Sequence, residues 1–348
     1  MLIETLRTVS SADWDRIYAR DASASPSQSR RWADIITDSS RVKDCSRLYK
    51  FADGNEVVLP LFVNTTFPRI LSVYRSPPPA WGFGGLISTA PLNSEHIRLV
   101  LEDCTKLPCA AVQIRPNPLQ ADAWFRAATG TAWEPLARNA HIIDLRGGFD
   151  DVWMHQFPGR TRTKIRKSRK SEVTVESGGC ARLVEEFDIL FRTSITRWAK
   201  KQNEVKWLAA FRGRLRDPEK KFKKMAHDAG GLLRVYIARI EEKPVAGIIV
   251  LLDGNGHYTR GAMDADLIGH SNANYLLQSV AIEDACALNC QHYNMGETGS
   301  SVALAKFKTR FGAVAVPYAE YRFERVPILS AEQKLRAVVK KLIGFQDA

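Results

Sequence analysis

Apolar and polar positions recur along the chain in two periods, and the changes between them mark its elements. Helical spacing predicts helices near residues 11–20, 30–36, 94–106 and 121–128. Runs rich in β-branched and aromatic residues predict strands over 47–51, 57–64, 110–115 and 141–145. The turn Ala52-Asp53-Gly54-Asn55 joins the first two as a hairpin. Between Ser76 and Gly85 the chain is rich in Pro and Gly and cannot form regular helix.

Near residue 150 the pattern changes. A helix predicted over 149–155 leads into the stretch Arg160–Lys170, which holds seven cations in eleven residues. A strand over 173–176 follows, then long helices over 182–200 and 208–226. Three strands come next, over 232–240, 245–253 and 256–263. The last two meet across Asp253-Gly254-Asn255-Gly256, a strong hairpin signal. Leu276, Leu277, Val280, Ala281 and Ala285 define a covering helix over 272–288. A strand over 292–295, a short helix over 304–310, a strand over 315–323 and a basic amphipathic helix over 331–343 complete the order. Both halves read as α/β units with mixed sheets flanked by helices. The expected divisions are a first unit over 1–150, a second over 151–330, and a C-terminal basic helix over 331–348.

Composition narrows the classes. Hydrophobic residues make up 45% and charged residues 25%, the balance of an ordinary globular chain. No apolar run approaches the roughly 18 residues of a membrane helix, and the charged start lacks a secretory leader's apolar stretch. The expectation is a soluble, cytoplasmic protein with no integral membrane segment. The six cysteines include no CxxC pair, and the histidines are scattered, so no metal is expected. A formal net charge of +12 attracts polyanions: nucleic acid, nucleotide phosphates, acidic lipid or CoA.

Three segments, taken in order, resemble the FemABX family. This is the peptidoglycan-bridge aminoacyltransferase-like branch of the GNAT superfamily, whose known members add amino acids to cell-wall precursors from aminoacyl-tRNA. The first segment runs from Phe157-Pro158-Gly159 through the basic helix into Val173-Thr174-Val175. The second is Tyr258–Asp264 with Asn274–Ala285. The third is Tyr293-Asn294-Met295-Gly296-Glu297 followed by Lys306-Phe307-Lys308 and Phe311-Gly312. Ser27–Trp32, Leu59-Pro60-Leu61, Gly84-Gly85 and His141–Leu145 add weaker support, so the likeness covers most of residues 25–323.

The resemblance implies a duplicated GNAT fold with its cleft between or within the units, no metal, no cofactor, and no covalent enzyme intermediate. It implies an acyltransferase, either an aminoacyltransferase or an N-acetyltransferase. The donor substrate is aminoacyl-tRNA, with tRNA as partner, or acyl-CoA. The acceptor is an amine, nucleotide- or lipid-linked in some versions. A non-catalytic RNA- or glycan-binding module is the alternative from another class.

Lys308 takes the lysine of the family's Phe-Lys pair and is the expected catalytic residue. Its role is to stabilise transition-state charge or the donor's phosphate-ribose end. Phe307 shapes the acyl pocket or belongs to the core. Lys164 and Arg166 bind donor phosphates, or lie on a solvated face. Lys206 falls where the family carries a cation for the acceptor diphosphate. Strand alternation places Tyr258 and Arg260 on one face, toward the cleft, although Tyr258 also fits a core. Asn274 and Tyr275 open the covering helix, where free N–H groups receive an anion; Asn274 also fits a plain cap. Departures from the family stand beside these. Ser88 occupies the place of the first unit's acid, and Asp34 or a neighbour that of its cation. No Q/RxxGxG/A pyrophosphate loop precedes the covering helix.

Overall fold

Proline settles two boundaries that periodicity leaves open. Pro60 divides the strand expected over 57–64 into two short ones, Glu56–Leu59 and Phe62–Asn64. Asp217-Pro218 divides the helix expected over 208–226 into Lys206–Arg216 and Glu219–Asp228. Proline donates no backbone N–H and its ring crowds the preceding turn, so it starts a helix more readily than it continues one.

The computed structural model describes residues 1–66 and 68–342. It divides into two units, Met1–Asn139 with Val316–Lys341, and Ala140–Ala315. The first holds β1 (Leu2–Leu6), α1 (Ser11–Arg20), α2 (Arg30–Ser39), β2 (Val42–Asp44), β3 (Arg47–Phe51), β4 (Glu56–Leu59), β5 (Phe62–Asn64), β6 (Val73–Ser76), β7 (Ile87–Ser88), α3 (Ser94–Thr105), β8 (Ala111–Ile114), α4 (Ala121–Ala128) and the start of β9 (Glu134–Asp144). One antiparallel sheet runs β1-β3-β4-β7. In the other, β8 pairs in parallel with β6, which continues through β5 to β2. Tyr49, Val57, Ile97, Val100 and Trp124 share the core of this unit.

The second unit continues with α5 (Gly148–Asp151) and a π turn over Val152–Gln156, then α6 (Gly159–Arg169), β10 (Thr174–Gly178), α7 (Ala181–Lys201), α8 (Lys206–Arg216), α9 (Glu219–Asp228), β11 (Leu233–Ile240), β12 (Lys243–Asp253), β13 (Asn255–Met263), α10 (Ala265–Ile268), α11 (Ala273–Ala287), β14 (His292–Glu297) and α12 (Val302–Thr309). The chain returns to the first unit within β15 (Val314–Glu324), which pairs with β8, and ends its described course in α13 (Ile328–Leu342). Residue 343 of the expected terminal helix lies outside the described residues. Mixed sheets flanked by helices make this the expected α/β class.

In the second unit β10-β11-β12-β13 form an antiparallel meander. The parallel pairing of β13 with β14 is short, confined to Gly256 opposite Tyr293 and His257 opposite Asn294. Beyond these pairs the two strands part. Glycine is required at 256, where a Cβ would meet the Tyr293 ring at 2.6 Å. On its other edge β14 pairs antiparallel with β9.

A bulge in β13 re-aims its side chains. Val250 pairs with Tyr258 but Ile249 pairs with Arg260, leaving Thr259 as the extra residue. Its hydroxyl donates to the Ile249 carbonyl at 3.1 Å. Cross-strand partners share a face, and successive residues do not. Tyr258 therefore lies with Val250, and Arg260 with Ile249, on the opposite face. The single face expected from simple alternation is overturned. On the Tyr258 side, Tyr236, Ile248, Val250 and Tyr293 pack under Leu276, Leu277 and Ala281 of α11. On the Arg260 side, α7 covers the meander through Phe187 and Phe191, which stack with each other and pack at an angle against Phe222 of α9.

Candidate functional site

Lys308 closes the last turn of α12, whose N-terminus is capped by the Ser301 hydroxyl accepting from Leu304 N–H. Its side chain turns inward and is 2% exposed. The ammonium donates to the carbonyls of Gly296 at 2.9 Å and Glu297 at 2.8 Å, at the end of β14 beyond its parting from β13. Gly296 has φ +75°, and a Cβ there would come within 3.4 Å of the Tyr258 carbonyl and 3.8 Å of Lys308 Nζ. Those are ordinary contact distances, so it is the backbone angle that favours glycine here. An ammonium carries three donors, so one is uncommitted. Burial lowers the amine to about 7, against a smaller opposing pull from Glu297. A buried amine held only by carbonyl dipoles sits at the border between cation and free base.

A second group gathers where α6 docks on α11 and α12. Ile165 is buried on the inner side of α6, and the Thr161 hydroxyl donates to the Arg310 carbonyl at 2.7 Å. Lys164 thereby lies over the Tyr275 ring, 4.5 Å from its centroid, and donates to the phenol oxygen at 3.3 Å. Arg310 donates to the same oxygen at 2.6 Å. Phe307 packs edge-on against Tyr275 and Phe311, at centroid distances of 5.5 and 5.2 Å. Lys164, Tyr275 and Phe307 are thus brought together, and Lys308 adjoins Phe307 in sequence while turning toward β14. Arg310 belongs to this group and escaped sequence reasoning, although it lies within the same basic helix end.

Other expected positions stand elsewhere. Arg166 is exposed, its guanidinium 5.5 Å from the Trp153 ring. Lys206 is exposed in the first turn of α8. Asn274 is half-buried within α11, whose N-cap position is Asn272, in left-handed conformation. Arg260 reaches Asp217 at the corner between α8 and α9, with contacts of 3.0 and 3.3 Å. Asp217 also accepts from Lys221 at 2.8 Å and Arg216 at 2.9 Å. Burial alone would raise this carboxyl, but Arg260, Lys221 and Arg216 hold it far below the usual range. In the first unit, Asp34 pairs with Arg30 at 2.6 Å, and the buried Ser88 hydroxyl donates to the Ala90 carbonyl.

Two histidines near Lys308 were not singled out by sequence reasoning. His257, on β13, is lowered to about 3 by burial, with Arg260 and Lys308 adding to the effect. His141, on β9, is lowered by burial and then by Lys308, and its buried Nδ1 has no hydrogen-bond partner among the described residues. Burial thus pushes both imidazoles toward the neutral form, while the Lys308 amine is lowered to about 7, as is that of Lys221 in α9. Nothing in the local sequence marks either histidine, because each depends on strand neighbours far away in the chain. Among the described residues no group of His, Cys, Asp and Glu could hold a metal ion, and no helix is long and apolar enough to cross a membrane.

An antiparallel meander, a parallel strand that parts from it, and a helix packed over them define a GNAT-class acyltransferase unit. Residues 159–308 match the acetyltransferase (GNAT) domain. The fold of the whole chain resembles the crystal structure of FemX, with a TM-score of 0.68 at 12% identity, over 97% of this chain and 100% of that one. It also resembles a conserved protein of unknown function from Bacteroides thetaiotaomicron, with a TM-score of 0.55 at 13% identity, over 92% of this chain and 98% of that one. No curated protein sequence matches the chain.

Proposed function

We propose that this protein is an N-acyltransferase that moves an aminoacyl group from aminoacyl-tRNA to an amine, the acceptor being a cell-wall precursor or a small metabolite. The observation that carries the reading is the buried Lys308 ammonium, seated where β13 and β14 part and holding one donor in reserve. In the reaction the acceptor nitrogen attacks the ester carbonyl and a C–N bond forms. The bond to the ribose oxygen then breaks, and that oxygen leaves with the proton the amine gives up. The spare Lys308 donor stabilises the oxyanion that forms between these steps, a contribution of roughly 3–4 kcal/mol for one such donor. Lys164 and Arg310 beside the Tyr275 phenol hold donor phosphate, and Phe307 lines the acyl side.

Acyl-CoA as donor is the second reading, supported by the match of residues 159–308 to an acetyltransferase domain. Against it stands the chain before α11, which reads Asp266-Leu267-Ile268-Gly269-His270 and lacks the glycine-rich loop whose N–H groups grip a pyrophosphate. The deciding experiment supplies charged tRNA or acyl-CoA separately, with a panel of amines. Turnover with charged tRNA that ribonuclease abolishes supports the first donor. Turnover with purified acyl-CoA in the absence of RNA replaces it with the second. Binding without turnover of either, unchanged in Lys308→Ala, overturns both.

A further inference from the structure

Helix α8 carries three of its four large apolar side chains outward. Trp207, Phe211 and Leu215 recur every four residues and are 70%, 56% and 70% exposed. Ala209 and Gly213 are the buried positions of the same helix, set against α7. At 100° per residue the three exposed side chains form one stripe about 12 Å long. Isolated surface hydrophobes are ordinary, but an aligned Trp, Phe and Leu on one helix face mark a surface that meets something.

The charges around the stripe identify that partner. Arg214 flanks it on one side and Arg212 on the other, with Lys206 and Arg216 at the helix ends and Lys200 and Lys201 closing α7. Between Lys200 and Lys220 the only acids are Glu204, Asp217 and Glu219. Glu204 and Asp217 are buried and bonded to arginines, and Glu219 pairs with Lys223. The outward surface is thus apolar at its centre and cationic at its rim. We infer that α8 docks on an anionic lipid surface, its Trp-Phe-Leu stripe entering the headgroup and acyl boundary while the flanking cations meet lipid phosphates. A second copy seated on the same face would set cations against cations. A nucleic acid backbone would leave Leu215 without apolar surface to bury against. The inference goes beyond acyl transfer and does not rest on it, since lipid binding is measured without donor or acceptor.

Co-sedimentation of the full chain with vesicles of equimolar phosphatidylglycerol and phosphatidylcholine tests this. Binding is expected to these vesicles, to weaken with salt, and to be much weaker to pure phosphatidylcholine. The triple variant Trp207→Ala/Phe211→Ala/Leu215→Ala should lose at least about tenfold in partitioning, and Arg214→Ala alone about fivefold. Unchanged far-UV circular dichroism separates this loss from misfolding. As a second readout, brominated lipid should quench fluorescence in the parent protein, and less so in Trp207→Phe. Three results would overturn the proposal: no binding to the anionic vesicles, binding unaffected by the triple variant, or a concentration-dependent dimer that the triple variant abolishes.

Discussion

Two buried lysines in the second unit show how alike burial and how unlike consequence can be. Lys221, at the corner of α8 and α9, has a carboxylate: Asp217, 2.8 Å away and shared with Arg260 and Arg216. Lys308, at the end of β14, has two backbone carbonyls and, among the described residues, no acidic side chain within ion-pair distance. Water is displaced from both ammonium groups. A bonded carboxylate opposes that loss at Lys221, and two carbonyls with a weaker pull from Glu297 do so at Lys308; in both, burial outweighs the opposition and lowers the amine to about 7. The first arrangement ties helices to a strand. The second keeps a costly group poised beside a gap between strands, as a site must if its charge is needed by something that arrives later.

The largest effect should come from taking the acid away at the helix corner. Asp217→Ala takes the shared carboxylate from the buried Lys221 and from Arg260, and should cost about 3–5 kcal/mol of stability, read as a lower denaturant midpoint. If the loss is small, the two lysines are less different than their partners imply. Removing the other lysine should do the reverse. Lys308→Met should leave the denaturant midpoint unchanged or raised near pH 6 while kcat falls about 10²–10³-fold. A variant that unfolds but retains specific activity would assign Lys308 to the architecture instead.

Titration tests the Lys308 side of the comparison on its own, because burial lowers both amines to about 7. The folded Lys308 amine releases its proton near 7, whereas the unfolded one holds it to its ordinary value of 10.5. Between these values the unfolded chain binds more protons, so stability rises with pH across that window. The difference between the parent protein and Lys308→Met should therefore shift in the parent's favour by up to about 1.4 kcal/mol per pH unit above 7. Catalysis that uses the charged amine should decline over the same range, and a rate that instead climbs would identify the free base as the working form. The smallest effect belongs to a cation that is neither deeply buried nor paired with an acid. Lys164→Ala should raise the donor KM about tenfold with kcat unchanged, and a change in kcat alone would move it from donor binding to chemistry.

The elements that were legible in the sequence are those fixed by local chemistry. The turn Asp253-Gly254-Asn255-Gly256 announces its hairpin, the periodicity of 272–288 announces α11, and Pro218 marks a helix break that periodicity alone runs across. Lys308, Lys164 and Tyr275 could be singled out because the family resemblance is carried by short contiguous motifs. What could not be read depends on register and distance. Thr259 looks like any strand threonine until the pairing of β12 with β13 makes it the bulge. Asp217 looks like a helix-ending acid until Arg260, 43 positions on, reaches it. His141 becomes a neighbour of Lys308 only through the strand pairing that joins β9 to β14.

That one surplus threonine gives β13 a division of labour. Upstream of it the strand serves the core beneath α11, and immediately downstream it anchors the corner from which α8 departs. Arg260 at that corner and Tyr258, whose carbonyl borders Gly296, are thus parted on the backbone by Thr259 alone. One stretch of three residues therefore serves both the outer helix corner and the backbone beside the amine.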